Sequence, residues 1–159
     1  MLSEIQVLKP ELSVDFEGSV FASMTVNLGP QTVSLKHRDR LNKLTGWCGI
    51  TALGKFEDCK GGHLILWDLG VVVQFPAGST IMIPSALLYH SNTSIGDLER
   101  RYSIVQFTAG SLFQWTENGG RSQEEFESLA TKSEVERMAK RHAERRQRNI
   151  ECFMPLSEL

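Results

Sequence analysis

The sequence predicts a mainly β protein, a sandwich or small barrel of short strands, with a helix at its C-terminal end. Over residues 20–116, short apolar segments alternate with turn-forming residues roughly every ten positions, without helical periodicity between them. Residues 122–149 contain neither glycine nor proline and are rich in helix-forming residues. With 159 residues, the chain has the size of one domain.

The strands can be assigned segment by segment. Residues 1–19 are mixed and weakly periodic, so we expect an irregular lead-in. The predicted strands, each ended by glycine, proline or a polar turn, are residues 20–28, 31–39, 45–54, 63–70, 71–78, 79–85, 87–92 and 100–110. The run VVVQF at 71–75 is apolar on both faces, which is typical of a central strand. We therefore expect one domain over residues 20–121 and a helix with its tail over residues 122–159.

The C-terminal region carries a helix start signal and a strong charge asymmetry. Ser122 followed by Glu125 forms a capping-box pattern, so residues 122–148 predict one helix, or two in tandem. Residues 132–148 hold seven Lys/Arg against three Glu. Such a run is usually a solvated helix face, and the alternative is that it neutralises the phosphates of a DNA or RNA partner.

Composition and charge exclude several classes of protein. The net charge of -2 predicts no general attraction to nucleic acid, although the average hides the basic helix. No window approaches the roughly eighteen apolar residues of a membrane span, so no transmembrane helix is expected. The first residues carry acids and a proline where a signal peptide would be apolar, which predicts an intracellular protein and leaves nuclear localisation open. Three cysteines without paired spacing predict neither a disulfide framework nor a zinc site, and the oligomeric state is left open.

The tripeptide His37-Arg38-Asp39 is the first part of a candidate metal site. In an extended strand, residues i and i+2 project from the same face, so His37 and Asp39 can reach one point. An imidazole, a carboxylate and a distant second histidine form a facial triad that binds Fe(II) and leaves coordination positions open. His90, at the end of a predicted apolar strand, is the best second histidine. The competing interpretation is structural, because such a tripeptide often arises by chance and a lone strand histidine is more often a core or surface residue.

A second pair of residues strengthens the interpretation as a shared site. Arg101 and Ser103 open the next predicted strand and, two residues apart, share one of its faces. A guanidinium can clamp a carboxylate through two hydrogen bonds, and a neighbouring hydroxyl can donate one more. Arg100 is the rival arginine, but it points to the opposite face and has no serine two residues later.

This layout, together with five longer segments, resembles the fungal, transposon-associated branch of the TET/JBP oxygenases. The segments are FASMTVNLGPQTVSLKHRD, GWCGITALG, GGHLILWDLG, FPAGSTIMIPSALLYHSN and RRYSIVQFTAGSLFQW. The resemblance implies a double-stranded β-helix, that is, a jelly-roll or cupin-like core, carrying a C-terminal α-helix. It also implies Fe(II) ligation by His37, Asp39 and His90, and binding of the cosubstrate 2-oxoglutarate by Arg101 and Ser103.

The same resemblance implies an activity. Members are Fe(II)/2-oxoglutarate-dependent dioxygenases that consume O2, and the better-known relatives oxidise 5-methylcytosine or thymine in DNA, so we expect a methylated base in nucleic acid as substrate. In family members, the position that Asn27 occupies is near the cosubstrate region, so the resemblance implies that Asn27 contacts substrate or cosubstrate. A turn-forming role is an equally good explanation for an asparagine at this position.

Two alternatives to this function stay open. One is the same chemistry on a protein side chain or a small molecule. The other is a truncated, non-catalytic remnant that acts as a binding module. The short region before the first predicted strand favours the remnant, because family members carry further N-terminal helices. The presence of all five ligand positions argues against it.

Overall fold

The structure is a computed structural model and describes residues 2–11 and 18–152. This part of the chain contains seven strands and four α-helices. The elements are α1 (Leu2–Leu8), β1 (Ser23–Asn27), β2 (Cys48–Lys55), β3 (Leu64–Leu66), β4 (Val71–Val73), β5 (Thr80–Ile83), β6 (His90–Asn92), β7 (Arg100–Phe107), α2 (Gly110–Glu117), α3 (Gln123–Leu129) and α4 (Lys132–Glu151). The mainly β class is confirmed, whereas the double-stranded β-helix stays a prediction.

The strands form two antiparallel sheets that share one core. The strand order is β1-β7-β2-β5 in the first sheet and β4-β3-β6 in the second. Apolar side chains from both sheets and their connections pack in a single buried cluster: Cys48, Ile50, Ala52, Leu64, Leu66, Phe75 and Ile83. Each sheet therefore buries one face against the other, as two packed sheets do.

Residues 31–39, predicted to be a strand, form no ladder in the structure. Gln31 makes an isolated bridge to Arg101 of β7, and His37 makes another to His90 of β6. Because the segment passes from the first sheet to the second, it has no single partner strand along which a ladder could continue. This crossing carries His37 from the first sheet to the edge of the second.

The run VVVQF lies at the edge of the second sheet, so its predicted central position is wrong. Strand β4 pairs with β3 alone among the described strands, and Val71 and Val72 are 44% and 60% exposed. The 3-10 turn Trp67–Leu69 follows β3, and Gly70 takes a left-handed φ of 62°. This tight turn folds β4 back along one edge of β3, whose other edge is taken by β6.

The strand predicted over residues 87–92 is shorter than expected. The amides of Leu87 and Leu88 both donate to the carbonyl of Pro84, which makes a turn before the strand. Strand β6 therefore begins at His90, which opens the strand instead of ending it.

Helices also occur where none was predicted. Residues 1–19 were expected to be irregular, but α1 forms there, with Ile5 only 4% exposed and Pro10 two residues beyond the helix end. Residues 12–17 of that predicted lead-in lie outside the described residues. Helix α2 follows β7 within the segment assigned to the β domain.

The C-terminal region contains two helices in tandem, one of the two arrangements that its sequence predicts. Helix α3 begins with the predicted capping box of Ser122 and Glu125. Helix α4 begins with a second box, in which Thr131 accepts from the amide of Glu134 and Glu134 accepts from Thr131. Within the described parts of the chain, no helix has the length and apolar character needed to cross a membrane.

Candidate metal and anion site

Three side chains with metal-binding atoms meet where the 31–39 segment reaches β6. His37, Asp39 and His90 each offer one ligand atom, and these atoms all lie within 4.8 Å of one another. His37 Nε2 is 3.5 Å from Asp39 Oδ1, and the two imidazole centroids are 4.3 Å apart. His90 is 4% exposed, whereas the side chains of His37 and Asp39 are 44% and 27% exposed. The structure thus brings the three predicted ligands together at the border between core and solvent.

Backbone hydrogen bonds fix the orientation of both imidazoles. Nδ1 of His37 lies 2.7 Å from the carbonyl oxygen of Leu35, and Nδ1 of His90 lies 3.0 Å from that of Leu88. A carbonyl oxygen can only accept, so each Nδ1 carries the proton and each Nε2 keeps a free lone pair. The two histidines also pair through their backbones, at 3.0 and 2.9 Å. Both rings are therefore held in the tautomer that ligates a metal through Nε2.

Burial and neighbouring charges set the protonation of the site. Burial lowers the pKa of His90, and the nearby His37 lowers it further, against raising contributions from the Leu88 carbonyl and from Asp39. The neutral imidazole is the form that binds a metal. Burial raises the pKa of Cys48 to about 11, with the charge of Asp39 as a second cause. Cys48 therefore carries a neutral thiol in the core, and it is not among the residues whose ligand atoms converge at the site.

Arg101 is a buried cation that has no ionic partner among the described residues. It is 3% exposed, and its Nη1 donates to the carbonyl of Thr32 at 3.3 Å, while its Nε has no partner. None of the salt bridges among the described residues involves Arg101. Burial lowers its pKa. Because a buried charge is costly unless it is paired, this guanidinium favours an anion beside it. Arg100, the rival arginine, is exposed.

Ser103 lies two residues along β7 from Arg101 and is 4% exposed. Its Oγ accepts a hydrogen bond of 2.9 Å from Nδ2 of Asn27, which lies directly opposite on β1. Since the oxygen accepts from Asn27, the hydroxyl proton remains to be donated to another group. Asn27 therefore contacts Ser103, and its predicted contact with substrate or cosubstrate stays a prediction.

A single cavity joins these groups. Its volume is about 590 Å³, which lies in the range of small-molecule sites. The six residues singled out by the sequence all line it: Asn27, His37, Asp39, His90, Arg101 and Ser103. Among the side chains that the structure describes, none from α2, α3 or α4 is part of its wall.

Sequence reasoning missed Asn92, which anchors the segment beside Arg101. Its Oδ1 accepts from the amide and the hydroxyl of Ser34, at 2.7 and 2.8 Å. Its Nδ2 donates to the carbonyls of Thr32 and Thr93, at 3.2 and 3.0 Å. The carbonyl of Thr32 is also the acceptor for Arg101, so Asn92 positions the acceptor that holds the guanidinium. A polar residue inside a short strand was the one signal that could have found it.

Asn42 is a second residue that the sequence reasoning missed. Its Nδ2 lies 3.4 Å from Asp39 Oδ2 and 3.3 Å from the hydroxyl of Ser85. The amide of Asp39 in turn donates to the carbonyl of Ser85 at 3.0 Å. These contacts hold one carboxylate oxygen of Asp39 and leave the other, Oδ1, beside His37.

Comparison with known proteins finds a likeness to solved structures. No family model matches the chain, and no curated protein matches it. The chain is similar to NgTET1, solved in complex with 5mC DNA, at 18% sequence identity and a TM-score of 0.43. The likeness covers 62% of this chain and 31% of NgTET1, so the chain spans about a third of the length of that protein. Likeness at this level does not establish a shared activity.

Proposed function

We propose that this chain is a Fe(II)/2-oxoglutarate-dependent dioxygenase. The observation that carries the proposal is the meeting, in one cavity, of a His–Asp–His ligand set and a buried arginine without an ionic partner. Two imidazoles and one carboxylate are the donors of a facial-triad iron site. The unpartnered Nε of Arg101 fits a carboxylate ligand, because the guanidinium would then gain both a counter-charge and an acceptor.

Each residue has a role in this proposal. His37, Asp39 and His90 would hold the iron, and Arg101 with Ser103 would bind the carboxylate of 2-oxoglutarate that is remote from the metal. When bound, iron and 2-oxoglutarate together with O2 supply the oxidation of a substrate C–H bond, which the protein alone cannot perform. The chain contributes the fixed imidazole tautomers, the orientation of the cosubstrate, and apolar cavity walls that keep water out: Ile50, Leu64, Val105 and Phe107.

For the substrate, we propose a methylated base in nucleic acid, of the 5-methylcytosine or thymine type. The support is the resemblance of five segments of the sequence to the TET/JBP oxygenases, including the fungal branch. A DNA substrate would imply a nuclear location in a eukaryotic cell. A small molecule oxidised by the same chemistry is the second candidate, because a cavity of about 590 Å³ can also enclose a ligand of that size.

Anaerobic titration with Fe(II) and then 2-oxoglutarate tests the proposal. We expect the weak visible absorption band of the iron–2-oxoglutarate chelate, and its loss when His37, Asp39 or His90 is replaced singly with Ala. The fold should survive each change, because a site with open coordination positions is seldom the main source of stability, and circular dichroism checks this. Failure of the parent chain to bind either Fe(II) or 2-oxoglutarate would contradict the proposal and favour the non-catalytic alternative. In a separate assay with O2 supplied, full conversion of 2-oxoglutarate to succinate by any one of the three variants would contradict the ligand assignment.

A further inference from the structure

A cluster of cations and aromatic rings borders the candidate metal site. This cationic–aromatic cluster consists of Lys36, Arg38, Arg40, Trp67 and Tyr89. Lys36 Nζ lies 4.6 Å from the ring centroid of Trp67 and 5.2 Å from that of Tyr89. Arg38 lies over the same Tyr89 ring at 4.1 Å and donates to its hydroxyl at 3.1 Å. Arg38 and, after it, Arg40 lower the pKa of the Tyr89 phenol. Three cations therefore converge on one phenol ring.

The cluster carries an excess of positive charge. Among the described residues, Lys36, Arg38 and Arg40 form no salt bridge. The carboxylate of Asp68 contacts the cluster, where it accepts from the backbone amide of Tyr89 at 2.5 Å. The Nε of Arg38 is buried without a partner. Three like charges against one carboxylate produce a local field that attracts anions.

The aromatic part of the cluster favours nucleic acid over an acidic peptide. Trp67 is 46% exposed, although large apolar side chains are usually buried. Its Nε1 donates to the hydroxyl of Ser91 at 3.0 Å, which fixes the ring at the surface. A fixed, half-exposed indole beside cations is the arrangement on which an unpaired base stacks while its phosphates meet Lys and Arg. An acidic peptide would need the cations alone.

We infer that the cationic–aromatic cluster is the surface that holds a single-stranded stretch of nucleic acid at the cavity. Lys36, Arg38 and Arg40 contact phosphates, and Trp67 stacks on a base. Arg38 and Arg40 also line the cavity, so a strand bound here runs past its mouth. The phosphate-contacting surface is then this cluster and not helix α4, which contributes nothing to the cavity wall. The inference rests on the proposed function only for its nucleic-acid substrate.

Binding of a fluorescein-labelled single-stranded deoxyoligonucleotide to the metal-free chain, followed by anisotropy at several salt concentrations, tests the surface. The double variant Lys36→Gln/Arg40→Gln should bind oligonucleotides of every base sequence more weakly than the parent does. The slope of log K against log salt should become shallower by about 1.4. Two phosphates are no longer neutralised in this variant, and each accounts for about 0.7 of the slope. The matched control Lys140→Gln/Arg145→Gln removes the same charge from α4 and should leave affinity and slope unchanged. If the double variant does not fold, each single variant should lower the slope by about 0.7.

Replacement of Trp67 tests the stacking interaction separately. Trp67→Ala should weaken binding by about 5- to 150-fold without changing the salt slope, because stacking involves no counterion release. Trp47 is 56% exposed and lies outside the cluster, so Trp47→Ala is the matched control and should bind as the parent does. Binding of poly-glutamate with the same slope, together with full oligonucleotide affinity in Trp67→Ala, would overturn the inference and indicate a general polyanion surface.

Failure of this surface and failure of the proposed function give different results. If the dependence of log K on log salt becomes shallower in Lys140→Gln/Arg145→Gln and not in Lys36→Gln/Arg40→Gln, helix α4 holds the nucleic acid. The inference is then wrong, whether or not the chain has dioxygenase activity. If the cluster and Trp67 variants behave as expected but no iron–2-oxoglutarate band forms in the parent, the surface is correct and the dioxygenase proposal fails. The binding assay uses metal-free protein, so neither result depends on turnover.

Discussion

Replacement of the single residue Arg101 should lower the affinity for 2-oxoglutarate without lowering the stability of the ligand-free protein. Arg101→Met keeps the length and apolar bulk of the side chain but removes its donors and charge. Affinity for 2-oxoglutarate, measured by calorimetry, should fall by about 1.5–3 kcal/mol, which is the cost of losing a charged hydrogen-bonding partner. The melting temperature of the ligand-free variant should stay equal or rise, because the parent buries an uncompensated charge.

The neighbouring arginine is the control for this prediction. Arg100→Met changes an exposed residue of the same strand and should alter neither affinity nor melting temperature. A loss of 2-oxoglutarate affinity in Arg100→Met, with Arg101→Met unaffected, would show that Arg100 and not Arg101 binds the cosubstrate.

The candidate ligands could be predicted from the sequence, but the residues that hold them could not. His37, Asp39 and Arg101 stand in short patterns whose chemistry is visible in the residue types alone. Asn92 and Asn42 act through backbone carbonyls, hydroxyls and a carboxylate brought near by the fold. The sequence shows at most a polar residue inside a short strand, as at Asn92, and not the distant carbonyl that it bonds, because tertiary structure selects that partner.

Strand β2 approaches β7 closely where Arg101 is positioned. Gly54 pairs with Arg101, and a Cβ at Gly54 would lie 2.1 Å from the carbonyl oxygen of Arg100. Its φ of 122° is also a conformation that side chains disfavour. Gly54→Ala should therefore lower the free energy of unfolding by about 1–3 kcal/mol and reduce 2-oxoglutarate affinity, because β7 must move at Arg101. Denaturant unfolding and calorimetry measure the two effects.

Replacement of Gly78 separates the effect of the unfavourable backbone angle from the effect of the steric clash. Gly78 has a φ of 89°, but a methyl group added there would have no atom within 4 Å, so Gly78→Ala adds backbone strain without a clash. It should cost less stability and leave 2-oxoglutarate affinity unchanged. Equal losses of affinity in Gly54→Ala and Gly78→Ala would exclude the close approach of β7 as the cause.

The start of helix α4 predicts an acid-sensitive contribution to stability. Glu134 accepts from the amide and hydroxyl of Thr131, both at 2.8 Å, and pairs with Arg121. The bonds from Thr131, followed by that from Arg121, lower the pKa of Glu134 from 4.5 to about 2. Because the folded state favours the charged form, this stability is present above pH 4.5 and is lost as the pH falls towards 2.

Thermal unfolding of Glu134→Gln across that pH range checks this prediction. The variant should melt at a lower temperature than the parent at neutral pH, and the difference should shrink as the pH falls. Glu136→Gln alters an exposed carboxylate on the same helix and should follow the parent curve. A constant difference between parent and Glu134→Gln at all pH values would contradict the assigned cause.

At the scale of elements, local sequence patterns predict the mainly β class but not which strand pairs with which. Alternating apolar residues and turn signals are local, so β1, β5 and β7 fall within predicted strands, and β2 extends one residue beyond the strand predicted over 45–54. Whether an apolar run becomes central or lies at an edge depends on which strand pairs with it, and the run VVVQF was misplaced for that reason. Residues 31–39 look extended but change sheets, which no local pattern records. The double-stranded β-helix, which the family resemblance implies, stays a prediction.

The arrangement of the whole molecule links the candidate site to the fold. The predicted metal ligands come from the 31–39 crossing segment and from β6, whereas the predicted cosubstrate ligands lie on β7 of the other sheet. The crossing segment contacts both sheets, at Gln31 and at His37. A ligand set assembled from such distant parts of the sequence exists only in the folded chain. Binding at the site should therefore stabilise the whole molecule.

Thermal denaturation with a redox-stable divalent ion and 2-oxoglutarate tests this coupling. We expect Mn(II) alone to raise the melting temperature and 2-oxoglutarate to raise it further in the presence of Mn(II). Ligand at about 100 times its dissociation constant should add about 2.7 kcal/mol to the free energy of unfolding. His90→Ala should lose both increments, because the metal site is then incomplete. Arg101→Met should keep the increment from Mn(II) and lose the one from 2-oxoglutarate. Equal increments in the parent and in both variants would mean that ion and cosubstrate bind elsewhere on the chain.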